Sequence, residues 1–143
     1  MMKCYAVIDT NVLVSALLSS HEDAATVQVV NRLFNGDVIP IYSAEILKEY
    51  NDVLRRKKFG FSENMIKQLI NTVKHFGELI IPSPTGVILP DMKDLPFYEV
   101  VLEKRGGDDA YLVTGNIKHF PKEAYIVTAT EFLEILNRDK LIR

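Results

Sequence analysis

Short runs of consecutive apolar residues alternate along this chain with longer stretches in which apolar side chains recur every three or four positions. The short runs read as strands buried on both faces, the longer stretches as amphipathic helices. The first run covers residues 4–8. It leads into a helix whose core face is Val12, Leu13, Ala16 and Leu17, with Asp9 or Thr10 placed to cap it. A second helix falls within residues 19–37, with Ala25, Val29, Val30, Leu33 and Phe34 on one face and Asn35-Gly36 at its end. Residues 38–42 form a strand. Ser43 then caps a helix that buries Ile46, Leu47, Tyr50, Val53 and Leu54. The basic stretch 55–62 breaks that pattern, and Ser62 opens a helix with Met65, Ile66, Leu69, Ile70 and Val73 on one face. Residues 78–82 read as a strand and 82–94 as a proline-rich loop. Asp94 opens a helix to about Lys104, with Pro96 in its first turn, where proline is tolerated. Strands at 110–114 and 125–128 flank the loop 115–123, and Thr130 caps a last helix to about Asn137.

Strands alternating with helices predict an α/β domain with a mainly parallel sheet covered on both faces. No repeat or low-complexity segment divides it, and 143 residues suit a single domain over residues 1–143. A formal charge of −2 argues against a generally adhesive nucleic-acid binder but permits a local basic patch. The one cysteine, Cys4, excludes an intramolecular disulfide and reads as a small core residue. No apolar run approaches the ~20 residues of a membrane span, and the first residues lack a signal-peptide pattern. The expected location is a reducing cytoplasm, with no membrane partner.

In parallel α/β folds, ligands bind beyond the carboxyl ends of the strands. The first strand ends in Asp9-Thr10-Asn11. The helix after the second strand carries Glu45 and Glu49. Asp91 and Asp94 precede the fourth strand's helix, and the fourth strand ends in Thr114-Gly115-Asn116. Oxygen donors from several segments around one crevice are what a hard divalent cation needs. Asp9 and Asp94 also suit plain helix caps, and that reading stays open. Glu49 lies roughly 100° from the centre of its helix's apolar stripe and Glu45 roughly 145°, so Glu49 reaches the edge of the packed face and Glu45 points outward.

The run Arg55-Arg56-Lys57-Lys58, followed by Phe59 and Phe61, suits either phosphate binding with base stacking or a basic helix terminus. His21, His75 and His119 have no partner at metal-ligand spacing and are not read as ligands. Asp108 and Asp109 precede the fourth strand, about five residues at ~3.3 Å each from its end, and so belong to the opposite edge of the sheet. There is no phosphate-cradling glycine loop and no nucleophile elbow, and Cys4 within a strand is a poor nucleophile.

Four segments, VIDTNVLVSALL, YSAEILKEYNDVLRRKKF, DMKDLPFYEV and AYLVTGNIKHFP, occur in this order and spacing. Together they resemble a PIN domain, most closely the VapC-like branch assigned as toxins of toxin–antitoxin pairs. The resemblance spans nearly the whole chain. It implies a five-stranded parallel sheet in a three-layer α/β/α sandwich and a ribonuclease dependent on Mg²⁺ or Mn²⁺. It places the family's acidic, metal-holding residues on Asp9, Glu49 and Asp94, and its accompanying polar site residues on Asn11, Thr114 and Asn116. Asn116 stands where many PIN nucleases have an aspartate, which removes one charge and disfavours tight binding of two metals. The resemblance implies an RNA substrate, a cognate antitoxin and a homodimer as partners, and the basic run Arg55, Arg56, Lys57 and Lys58 lies where it could hold flanking RNA. The rivals are a PIN-like module that binds RNA or protein without cutting, favoured by Asn116, and another acid-cluster α/β protein such as a phosphatase. The latter lacks the second aspartate of a DxD motif.

Overall fold

The computed structural model describes residues 4–142. Five strands, β1 (Tyr5–Ile8), β2 (Ile39–Tyr42), β3 (Glu78–Leu79), β4 (Ala110–Val113) and β5 (Ile126–Val127), form one sheet in the order β3-β2-β1-β4-β5. Every pairing is parallel. Six helices flank the sheet: α1 (Thr10–Leu18), α2 (Ala25–Phe34), α3 (Ala44–Leu54), α4 (Glu63–Phe76), α5 (Leu95–Arg105) and α6 (Ala129–Ile142). Sheet and helices share one hydrophobic core, in which β1 and β4 are almost wholly inaccessible. That is why these strands read as unbroken apolar runs and not as alternating ones.

The chain steps from β1 outward to β2 and β3, then returns to place β4 on the other side of β1. Between β1 and β4 the strand order therefore reverses, and the connections leaving these two strands diverge to open a crevice at their carboxyl ends. Register sharpens this, because Ile8 pairs with Val113. The next residues, Asp9 and Thr114, consequently emerge side by side.

Several expectations need correction. Phe34 and Met65 are exposed, because they sit at the margins of their helices' apolar stripes, and Leu17 is only half-buried. Residues 19–24 form the link to α2 and not its first turns. The strand expected over 78–82 shrinks to Glu78–Leu79 at the sheet edge, and the exposed Ile81 takes no part in it. The last helix is capped by Thr128, not Thr130. Thr128 Oγ1 accepts from the backbone N–H of Glu131, whose carboxylate accepts from the N–H of Thr128, a reciprocal capping box. That helix also continues past Asn137 to Ile142.

Ser43 and Ser62 cap α3 and α4 as expected, each accepting a backbone N–H three residues on. Gly77 is required where α4 turns into β3, since a Cβ there would lie 2.1 Å from the Val73 carbonyl and 2.7 Å from that of Pro40. No helix of the described residues is long and apolar enough to cross a membrane.

Candidate active site

Asp9 begins as a strand-end residue and finishes as a buried carboxylate. It occupies the N-cap position of α1 yet makes no side-chain cap bond, so the capping role is not what places it there. Instead Oδ2 accepts from the Thr114 hydroxyl at 2.8 Å and from the Asn11 amide at 3.2 Å. Thr114 is fully buried, and its Oγ1 also accepts the backbone N–H of Asn116 at 2.9 Å. Asn11 Oδ1 accepts the N–H of Gly115 at 3.1 Å. These bonds tie the end of β1 to the end of β4 and fix the orientation of Asp9.

Glu49 approaches from α3. The Thr10 hydroxyl donates to its Oε2. The neighbouring Tyr50 is fully buried and donates its phenol to the carbonyl of Ile8, just before Asp9. Tyr50 reads in the sequence as a core residue only. In the fold its hydroxyl also anchors α3 to the site, and burial, with Asp9 and Glu49 nearby, pushes its ionisation up so that it remains a neutral donor. As the helix-face argument requires, Glu49 is half-buried and Glu45 exposed.

Asp94 arrives from the short turn Met92–Asp94 that enters α5, and it too makes no side-chain cap bond. Its Oδ2 lies 3.0 Å from Nδ1 of His119, in the turn Ile117–His119 after β4. The sequence offers no partner for His119, because the fold supplies it from 25 residues away. Asp91, Asp94 and His119 bring one ligand atom each within 4.8 Å of one another. Asp94 also acts electrostatically on Asp9 and Glu49, so it belongs to two groups of donors.

The electrostatics are those of a site short of positive charge. Burial, helped by Asp94 and Glu49, pushes the Asp9 carboxyl up to about 6 against the Thr114 hydrogen bond. Burial and Asp94 raise Glu49, opposed by Thr10, Arg56 and Lys93. Asp94 is raised by burial and by Asp91, while His119 pulls it back down. Asp9 has neutral donors as its hydrogen-bond partners, and the like charges nearest to it penalise its ionisation. Hard oxygen donors held in this state fit a divalent cation, which would remove that penalty.

Of the basic run, Arg55 is engaged by Glu63 through two hydrogen bonds, at 2.8 and 3.1 Å, and by Asn51. Arg55 thus ends α3 as a basic helix terminus, with an ion pair to Glu63 that the sequence does not announce. Arg56, Lys57 and Lys58 are exposed, and the charge of Arg56 acts on Glu49. Asn116 is exposed on the far rim and borders a cleft of about 310 Å³ with Lys118 and His119. Asp108 and Asp109 lie at the amino ends of the strands, paired with Lys104 and Arg105.

A family model described as PIN domain matches residues 5–118, most of the chain and every site residue above except His119, one position beyond it. Comparison with curated proteins gives no match, and neither does comparison with solved structures.

Proposed function

We propose that the chain, which belongs to the PIN domain family, is an endoribonuclease that uses Mg²⁺ or Mn²⁺ to hydrolyse RNA phosphodiester bonds. The family's members are generally nucleases. The observation that carries the reading is Asp9: a buried carboxylate pushed up to about 6, beside Glu49 and Asp94, in the crevice where the strand order reverses. In this reading Asp9, Glu49 and Asp94 hold the ion, partly through water, and His119 and Asp91 bound the Asp94 side. When bound, such an ion lowers the pKa of a coordinated water and neutralises charge on the phosphoryl oxygens.

The chain's own residues supply position. Thr114 and Asn11 hold Asp9 in one orientation, and Thr10 holds Glu49. Arg56, Lys57 and Lys58 draw the RNA backbone toward the crevice, and Arg55 stiffens the turn that carries them. The role we assign is the toxin of a toxin–antitoxin pair, working in the cytoplasm as a homodimer with a cognate antitoxin protein.

A second reading, an RNA- or protein-binding module that does not cut, is favoured by Asn116, which brings an amide where a further charge would strengthen metal binding. One assay separates the readings. Mn²⁺-dependent cleavage of single-stranded RNA, abolished by chelator and absent toward a phosphomonoester, supports the nuclease. Binding of RNA without cleavage supports the second reading. Phosphomonoester turnover would contradict both.

A further inference from the structure

A groove of about 580 Å³ opens directly beside the acidic cluster, between α1 and the turn Lys57–Phe59. Its volume falls within the roughly 300–1,000 Å³ of small-molecule sites. It is lined by Thr10 and Asn11, the residues that hold Glu49 and Asp9, so it adjoins the site. Its lining includes Val14 and Leu18 from α1, Val53 from α3, the ring of Phe59, and Arg56, whose charge acts on Glu49. Phe59 stacks on Phe61, with ring centroids 5.5 Å apart and planes within 14°. Gly60 makes this possible. Its φ of +68° turns the chain sharply between the two rings, in a region that other residues rarely adopt.

The polar groups along the groove already have partners within the protein. Ser15 Oγ lies 3.3 Å from Thr26 Oγ1, and Ser19 Oγ accepts the N–H of His21 at 3.1 Å. A ligand here is gripped by apolar area and an aromatic edge or face, with positive charge at the rim. We propose that the groove is a nucleobase subsite: it takes one unpaired base of the nucleotide next to the scissile phosphate, while Arg56, Lys57 and Lys58 hold the adjoining backbone.

The subsite has two consequences. A base inside a duplex cannot enter, so the groove engages only an unpaired nucleotide. Apolar contact and stacking are tolerant of base identity, so this position contributes affinity more than sequence choice.

This inference rests on RNA being the substrate, and the experiment keeps the two apart. Binding is measured in EDTA, where metal-dependent cleavage does not consume the probe, with a fluorescent eight-nucleotide single-stranded RNA and with inorganic polyphosphate. Phe59→Ala should weaken RNA binding about tenfold, the lower range for loss of one stacked base. Phe59→Tyr should restore it. Ser15→Trp should fill the groove and weaken RNA binding similarly with no change in charge. Neither substitution should alter polyphosphate affinity, and thermal melts establish that each variant is folded.

Unchanged RNA affinity in both folded variants overturns the subsite and leaves the groove to a protein partner. Equal losses for RNA and polyphosphate overturn it too, since the effect would then concern the backbone alone. If wild type neither cleaves nor binds single-stranded RNA, the ribonuclease reading fails and takes the subsite with it. If wild type cleaves RNA while Phe59→Ala binds normally, only the subsite fails.

Discussion

The two ends of the sheet treat charge in opposite ways. At the amino ends of the strands, Lys104 Nζ lies 2.8 Å from Glu78, 3.2 Å from Asp108 and 4.1 Å above the ring of Tyr5. Beside it Arg105 donates to the carbonyl of Ala110, stacks over Tyr125 and approaches Asp109. Each of these cations is answered by carboxylates and an aromatic face, and the lysine's proton is held more tightly than usual, chiefly by its hydrogen bond to Glu78. At the carboxyl ends, Asp9, Glu49 and Asp94 all have raised pKa values, with burial as the largest cause. The first end is arranged for the folded chain alone. At the second, the carboxylates are left without full compensation from the chain. Acidic residues are plentiful at both ends, so it is the lack of compensation, not the count of carboxylates, that distinguishes the candidate site.

The largest expected effect of breaking this contrast is at Asp94, which belongs to both donor groups. Asp94→Asn should reduce Mn²⁺-dependent RNA cleavage by about a thousandfold, equivalent to roughly 4 kcal/mol of barrier, measured as single-turnover rates. A fall of less than threefold would remove Asp94 from the reacting centre. Next is Thr114→Val, which keeps the shape of the side chain and deletes the donor to Asp9. Through its effect on a ligand's orientation it should cost about tenfold in Mn²⁺ affinity or cleavage. Unaltered metal titration curves would reduce Thr114 to a packing residue. The smallest effect belongs to the compensated end. Lys104→Met should lower stability by about 1 kcal/mol in denaturant titrations and leave cleavage unchanged, because its carboxylate partners are half-exposed and rehydrate. A loss of cleavage there would undo the separation of the two ends.

Much of the site is legible in the sequence because its residues follow strand ends, and a parallel sheet aligns those ends. Asp9 and Thr114 are neighbours because Ile8 and Val113 pair, a register that only the fold reveals. Glu49 is distinguished from Glu45 by helical geometry alone. What stays hidden depends on contacts that no periodicity encodes. His119 meets Asp94 only after the loop following β4 folds into a short turn. The Tyr50 hydroxyl reaches Ile8 from a position that any apolar stripe would use. Arg55 is drawn out of the basic run by Glu63, which begins the next helix, so four adjacent cations do not act as one patch. The edge strand β3 is shorter than its apolar run because, beyond Leu79, the exposed Ile81 has left the sheet.

In the proposed reading the Asp9 cluster is destabilised until a divalent cation joins it. Asp9 titrates near 6 in the fold against 3.8 when unperturbed, so the fold favours its protonated form. That contribution is fully present below about pH 4 and is lost as pH rises through 6, by about 3 kcal/mol at most. At pH 7 the metal-free protein therefore carries an unfavourable charge that Asp9→Asn removes. The direct measurement is a pair of thermal melts at pH 7 on wild type and Asp9→Asn, in EDTA and in millimolar Mn²⁺. In EDTA, Asp9→Asn should melt several degrees above wild type, at ~3 °C per kcal/mol. Mn²⁺ should raise wild type by several degrees and the variant by little. If Asp9→Asn melts below wild type in EDTA and Mn²⁺ raises both equally, Asp9 is a structural residue and the cluster is not a metal site.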